Sequence, residues 1–182
     1  MCYEKYIEED STIYLITNYV VGYDLFVYQQ KNMIENISIV FATSFLEQML
    51  DAVDFIHSEG IVHRDIKPAN IIYNPTTNIF TLIDFGLSCI TDQCKQLVGT
   101  IKFISKEVLY TALKRERISF HQWERNDMFA LGVTLYMLLN NQLPFHVLKD
   151  KQFLDYSKPI PWIWEKDVDI VEQVKKLINI GL

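Results

Sequence analysis

The chain has 182 residues, 49% of them apolar and 13% aromatic, enough to bury the core of one globular domain. Its formal net charge is −6 and its basic residues are scattered, so we expect no nucleic acid partner. Charged or amide residues interrupt every apolar stretch before it reaches transmembrane length, so we expect no membrane partner either.

The first predicted element is a β-hairpin, formed by residues 2–7 and 13–19. The second of these segments is rich in β-branched and aromatic residues, and the polar run 8–11 is typical of a turn. Gly22 then interrupts the chain before a short helix that begins at Asp24.

The longest predicted helix covers residues 38–59, where apolar side chains recur every three or four positions and Gly60 follows as a cap. A second hairpin is predicted from residues 71–73 and 80–83, because a polar turn separates these apolar pieces. Residues 87–104 show little periodicity and are interpreted as a long, mobile segment.

The C-terminal part is predicted to be helical. Residues 125–140 are apolar on nearly all sides, which indicates a buried helix, and residues 167–180 form an amphipathic one. The three cysteines of the chain are an odd number without paired spacing. We therefore expect no disulfide or zinc framework, and a reducing compartment.

The run from His63 to Asn70 collects residues suited to phosphoryl transfer. Asp65 can accept a hydrogen bond from a substrate hydroxyl, and Lys67 can neutralise charge on the transferring group. Asn70 offers an amide oxygen to a hard cation such as Mg²⁺. The tripeptide Asp84-Phe85-Gly86 follows at the end of the next predicted strand, where Asp84 is a second candidate metal ligand.

Taken singly, these residues have simpler explanations, since an Asp-Phe-Gly tripeptide is usually a turn. In this order and separation they resemble the catalytic loop and the metal-binding loop of eukaryotic-type protein kinases. Residues 99–107 are similar to the end of that family's activation segment, with Ser105-Lys106-Glu107 where Ala-Pro-Glu is usual. Asp127 matches a residue that, in the family, holds the catalytic loop through backbone hydrogen bonds.

The resemblance extends to the N-terminal segment and implies a nucleotide site there. Thr17 would be the gatekeeper, and the backbone of Asn18 and Val20 would bind adenine. Asp24 would reach the ribose, and Ile72 would form the floor of the adenine pocket. An apolar strand followed by a turn would also explain these residues without a ligand.

The fold implied by the resemblance is α+β and protein-kinase-like, with a mostly α-helical C-lobe, small antiparallel β pieces and a truncated N-lobe. Residues 1–182 would be a partial kinase domain: 1–19 the last N-lobe hairpin, 20–24 the hinge and 25–182 the C-lobe. The family's glycine-rich loop, strand lysine and partner glutamate are absent from the chain. So is the arginine that follows in kinases and pairs with the residue matching Glu107, so Glu107 should use water or another cation.

The implied function is a serine/threonine protein kinase that uses ATP and Mg²⁺ and acts on a protein substrate. Lys67 together with Thr100 is typical of serine/threonine enzymes. Another kinase chain or a regulatory protein is a further expected partner. Because the start of the chain lacks signal-peptide order, we expect an intracellular protein, cytoplasmic or nuclear.

Two alternatives compete with this interpretation. The absent N-lobe elements leave open a catalytically weak or inactive kinase remnant that serves as a protein-interaction module. A small-molecule kinase of related fold is disfavoured by Lys67-Pro68 and by Gly99-Thr100, which are features of enzymes with protein substrates.

Overall fold

The computed structural model describes residues 3–31, 37–91, 93–94, 96–147, 154–159 and 167–181. The helices of this part of the chain are α1 Leu25–Lys31, α2 Ile39–Ser58, α3 Lys106–Leu113, α4 Phe120–Asn140 and α5 Val168–Ile180. Its strands are β1 Tyr3–Glu9, β2 Thr12–Thr17, β3 Tyr23–Asp24, β4 Ile61–Val62, β5 Ile71–Asn74, β6 Ile79–Leu82, β7 Cys89–Ile90, β8 Phe145–Val147 and β9 Leu154–Pro159.

All the sheets in the described residues are small and antiparallel. Strands β1 and β2 form one hairpin, β8 and β9 form another sheet, and β4 pairs with β7. The three-stranded sheet has the order β3-β5-β6. Five helices and small antiparallel sheets in the described residues confirm the predicted α+β class. Both predicted hairpins are confirmed as well, apart from Cys2, which lies outside the described residues.

Helix α4 lies at the centre of the core and is packed on both sides. Four of its apolar residues are fully buried: Phe129, Leu131, Val133 and Leu135. A helix that is apolar on every side must be covered by neighbouring elements on every side. Helix α5 packs closely against it, because a Cβ at Gly132 would come within 2.8 Å of the Leu177 Cβ. This core supports the loop of residues 63–70.

Helix α4 begins at Phe120, five residues before the predicted start at residue 125. Ser119 caps it: the Ser119 hydroxyl accepts the Gln122 N–H at 3.2 Å, and the Gln122 side chain accepts the Ser119 N–H at 2.8 Å. This reciprocal capping box begins the helix ahead of the apolar pattern of residues 125–140.

The structure corrects the prediction for the cysteines, because Cys89 and Cys94 form a disulfide with Cα atoms 5.6 Å apart. Between them the Gln93 N–H donates to the Ile90 carbonyl at 3.0 Å and turns the chain back. That Cα separation lies in the usual range for a disulfide. Residue spacing alone does not reveal such a turn, so counting cysteines gave the wrong expectation.

Residues 87–104, interpreted from the sequence as mobile, contain short ordered elements. Strand β7 pairs with β4 through Val62 and Cys89, and a 3₁₀ turn covers Ile101–Phe103. Short turns and contacts with distant residues such as Val62 and Asp65 stabilise this segment, and neither produces a periodic apolar pattern in its sequence. No helix in the described part of the chain is long and apolar enough to span a membrane.

Candidate active site

The loop from His63 to Asn70 is held to the core by Asp127 of α4, a carboxylate with no exposed surface. Asp127 accepts the main-chain N–H of His63 at 2.8 Å and that of Arg64 at 2.9 Å. It also contacts the His57 Nε2 at 3.0 Å. A buried carboxylate requires such donors, and these bonds confirm the predicted role of Asp127.

The same loop holds one residue in a costly backbone conformation. Arg64 has φ of +68°, in the left-handed region, which costs a non-glycine residue roughly 1 kcal/mol or more. The bond from its N–H to Asp127 and a 2.6 Å bond from its Nε to the Leu87 carbonyl keep it there. The main chain is thereby fixed at the position directly before Asp65.

Asp65 is nearly buried and accepts four hydrogen bonds. Its Oδ2 accepts from the Lys67 Nζ at 2.6 Å and from the Asn70 Nδ2 at 3.1 Å. Its Oδ1 accepts from the Thr100 N–H at 2.9 Å and the Thr100 hydroxyl at 2.8 Å. Since a carboxylate offers about four acceptor positions, the orientation of Asp65 is fully determined.

Thr100 is part of this cluster, although the sequence pointed to it only as a mark of substrate type. Its Oγ1 lies 2.9 Å from the Lys67 Nζ as well as next to the Asp65 carboxylate. A hydroxyl therefore already lies between the carboxylate and the ammonium group. The Gly99-Thr100 pair in the sequence was the available signal, but the contact with Asp65 spans 35 positions along the chain.

Asn70, the last residue of the 63–70 loop, joins that loop to the segment that carries Asp84. Its Nδ2 donates to the Asp65 carbonyl at 2.9 Å, so its bonds to Asp65 both use the amide nitrogen and not the amide oxygen. Its main-chain carbonyl accepts the Ile83 N–H at 2.9 Å, one residue before Asp84. The structure thus places the two predicted metal ligands on adjoining segments.

Asp84 is exposed and has φ of +61°, a second left-handed residue in this region. Its Oδ1 accepts the Gly86 N–H at 3.2 Å, which fixes the turn that follows. Phe85 packs on the His63 ring, with the ring centres 4.9 Å apart. The loop that carries Asp84 is therefore held against the 63–70 loop.

His63 connects the two loops, a role that its sequence position alone did not reveal. Its Nε2 lies 3.0 Å from the Ile83 carbonyl, which can only accept a hydrogen bond. The proton is therefore assigned to Nε2, and Nδ1 is left to accept the Asp65 N–H at 3.3 Å. A neutral, buried histidine satisfies both bonds.

The oxygen atoms of the two candidate metal ligands are of the kind that Mg²⁺ prefers. The Asn70 amide oxygen and the Asp84 carboxylate are hard oxygen ligands, and Mg²⁺ in nucleotide enzymes usually takes one or two carboxylates plus phosphate oxygens. Within the described residues no group of three or more His, Cys, Asp or Glu side chains could hold a metal by itself. These two residues would therefore hold the ion together with phosphate or water oxygens.

The residues that are predicted to bind the nucleotide form two groups. Asp24 of β3 pairs with Ile72 of β5, so these two are neighbours, and β5 follows directly after Asn70. The Asp24 Oδ1 also accepts the Val27 N–H at 2.8 Å and caps α1, which the sequence did not predict. Thr17 ends β2, and Asn18 and Val20 lie in the connection from β2 to β3.

Glu107 finds a cation within the described residues, as expected, and it is Arg125. The Arg125 Nε lies 2.9 Å from the Glu107 Oε2, and a second bond joins the Arg125 Nη2 to the Glu107 Oε1. The hydrogen bond from Arg125 lowers the pKa of the Glu107 carboxyl below its ordinary value. The pair fixes α3, just after the Thr100 segment, to α4.

Comparison with known proteins gives a consistent result. The family model described as "Protein kinase domain" matches residues 1–179. CBL-interacting protein kinase 2 of Oryza sativa subsp. japonica is 33% identical over 150 residues, covering 82% of this chain and 32% of the relative. Aurora kinase of Eremothecium gossypii is 34% identical over 156 residues, covering 84% and 39%.

A bacterial relative matches over nearly the whole chain. Serine/threonine-protein kinase D of Synechocystis sp. is 32% identical over 183 residues, covering 96% of this chain and 33% of the relative. The chain spans about a third of the length of the curated relatives it matches.

Proposed function

Because this chain belongs to the protein kinase domain family, we propose that it transfers the γ-phosphate of ATP to serine or threonine hydroxyls of proteins. The observation that carries the proposal is the hydroxyl of Thr100 held between the Asp65 carboxylate and the Lys67 ammonium group. A substrate hydroxyl needs the same two neighbours, one to accept its proton and one to neutralise the phosphate.

In the proposed reaction the substrate hydroxyl takes the acceptor position on Asp65 that the Thr100 hydroxyl uses. Asp65 accepts the proton while the new O–P bond forms and the bond from the γ-phosphorus to the ADP oxygen breaks. The Lys67 Nζ, 2.6 Å from Asp65, is placed to neutralise charge on the transferring group. Positioning and charge neutralisation account for most of the catalysis in such reactions.

We propose that Asn70 and Asp84 hold Mg²⁺, which neutralises the charge of the phosphates when it is bound. Asn70 has its amide nitrogen committed to Asp65, which leaves its oxygen for the cation. Asp84 commits Oδ1 to the Gly86 N–H, and its exposed carboxylate retains further acceptor capacity.

For the nucleotide we propose the main chain of Asn18 and Val20 for adenine, with Thr17 as gatekeeper. Asp24 would bind the ribose and Ile72 would form the pocket floor, which the pairing of β3 with β5 supports. Residues 1–19 then form the last hairpin of an N-lobe, 20–24 the hinge and 25–182 the C-lobe of a partial kinase domain.

Because the proposed reaction needs ATP, the enzyme would act inside the cell, in the cytoplasm or the nucleus. One relative is named for an interaction with CBL. We extend to this chain only the general proposal that, besides its substrate, a regulatory protein or another kinase chain binds it.

A phosphate-transfer assay tests the proposal. The purified chain is incubated with Mg²⁺, γ-labelled ATP and a mixture of serine, threonine and tyrosine peptides, beside Asp65→Asn as control. We expect label on serine and threonine only, and at least about a 100-fold lower rate in Asp65→Asn, as for loss of a general base. Label on tyrosine, or equal rates in both proteins, would contradict the proposal.

A second candidate function, the interaction module, is favoured by the exposed β1–β2 hairpin. Every residue of β2 is exposed, and Leu15 retains 70% of its accessible surface. Exposed apolar strands of this kind are typical contact surfaces. Absence of phosphate transfer at saturating ATP, with a hairpin-dependent partner recovered by the chain, would favour this alternative.

A further inference from the structure

A pocket of about 210 Å³ opens beside the catalytic loop. Its walls come from distant parts of the chain: Phe26 in α1, Pro68 just after Lys67, Phe103 before α3, Met137 in the last turn of α4, and Leu143 just after that helix. Apolar side chains from four segments therefore converge on one opening.

The pocket shares a wall with the proposed active site, because Lys67 also lines it. The Nζ of this lysine lies 2.6 Å from the Asp65 Oδ2, and the substrate hydroxyl is proposed to bind the other oxygen of that carboxylate, Oδ1. An extended peptide advances about 3.3 Å per residue, so a side chain within about four residues of that hydroxyl can reach the pocket.

The lining selects against positive charge. Its charged members are Lys67 and Lys102, and no acidic residue is among the described residues that line it. An arginine or lysine side chain in the pocket would meet like charge and lose water without gaining a partner.

The size of the pocket fits one side chain. An apolar cavity of about 150 Å³ accepts benzene, so this slightly larger space suits leucine, methionine or phenylalanine. It is smaller than the roughly 300–1,000 Å³ of sites that enclose a drug-sized molecule.

We propose that this pocket binds an apolar side chain of the protein substrate, close in sequence to the phosphorylated residue, and excludes arginine and lysine there. The proposal rests on the proposed kinase function. It makes Phe26 and Met137 specificity-determining residues of the reaction.

The test uses serine peptides in which leucine, glutamate or arginine is placed in turn at each of about four positions on either side of the serine. The full chain is assayed with Mg²⁺ and ATP, and kcat/KM is measured for each peptide. We expect leucine to exceed arginine by about tenfold or more at one position, as for a filled apolar pocket.

Met137→Glu keeps a similar side-chain length and adds a carboxylate to the lining. We expect it to raise the arginine-to-leucine ratio at that one position by about tenfold and to leave the ratios at other positions as they were. Phe26→Glu, at a half-exposed position in the first turn of α1, provides a second variant should Met137→Glu fold poorly. Leu113→Glu adds the same charge at an exposed site outside the pocket and should keep the wild-type ratios.

Equal rates for leucine and arginine at every position would overturn the proposal. So would a preference for glutamate over leucine, or a leucine preference that survives both pocket variants. If the wild-type chain phosphorylates no peptide, the proposed function fails separately, and the pocket is judged by peptide affinity from fluorescence anisotropy. The leucine peptide must then bind more tightly than the arginine peptide, and Met137→Glu must reverse that order.

Discussion

Gly99 determines whether Thr100 can reach Asp65. It has φ of +100°, and a Cβ at this position would overlap the Arg64 carbonyl oxygen. The close approach of the two main chains is what brings the Thr100 N–H within 2.9 Å of the Asp65 Oδ1. A side chain at residue 99 must push these segments apart.

We therefore predict that Gly99→Ala lowers phosphate transfer by about 100-fold or more, as misplacement of a catalytic group by about 1 Å does. Gly60→Ala is a matched control, because Gly60 also has positive φ, +71°, but its Cβ would meet only the Thr91 side chain at 2.8 Å. Both variants should unfold at lower denaturant concentration, and Gly99→Ala alone should lose activity. Equal activity in the two variants would contradict this account of Gly99.

Some residues of the site were named from the sequence, and others were found only in the structure. Short motifs contain four of them, and the order of these motifs along the chain indicates the proposed site: Asp65, Lys67, Asn70 and Asp84. The parts played by Thr100 and His63 depend on contacts across 35 and 20 positions, which no local pattern contains. The sequence therefore named the groups that are proposed to react, but not the bonds that orient them.

Helix α3 is joined to α4 by the Glu107–Arg125 pair, which makes the junction sensitive to acid. Arg125 lowers the pKa of Glu107 below its ordinary value of 4.5, so the folded state binds the Glu107 proton less readily than the unfolded chain. The stabilisation is then fully present above about pH 4.5 and is lost as pH falls through the lower folded-state pKa.

We predict that Arg125→Gln lowers the free energy of unfolding by about 0.5–1 kcal/mol at neutral pH, since both partners are partly exposed. The difference from wild type should shrink below about pH 4.5. Urea unfolding at a series of pH values measures it. A difference that grows on acidification would show that the pair does not stabilise the fold in this way.

Apolar periodicity predicted the ends of α2 and α5 to within one residue, because an amphipathic pattern reflects burial directly. It did not predict the start of α4, because the capping box at Ser119 and not apolar spacing sets the first turn of that helix. The disulfide also escaped prediction, because it depends on a turn between Cys89 and Cys94. Features that depend on the geometry of turns and helix caps were therefore not predicted from the sequence.

Across the whole molecule, stability should fall from the α4 core toward the β1–β2 hairpin. Helix α4 is buried along most of its length and packs against α2 and α5, whereas β2 is exposed throughout. A two-stranded hairpin without a covering layer is only marginally stable.

We predict that amides of β1 and β2 exchange with deuterium at least about 100-fold faster than those in the middle of α4, because local opening costs far less than global unfolding. Hydrogen-exchange mass spectrometry on the whole chain measures both segments together. Equal protection of the hairpin and α4 would show that the hairpin is part of the same cooperative unit.

The central claim is that the catalytic loop and the Asp84 loop act as one phosphoryl-transfer centre. The most direct test is a double-mutant cycle on phosphate transfer with Asp65→Asn, Asp84→Asn and the double variant. Groups that act as a unit give strongly non-additive losses. We predict that each single variant loses about 100-fold or more, and that the double variant loses no more than the worse of the two. A wild-type rate in either single variant, or losses that multiply in the double variant, would contradict it.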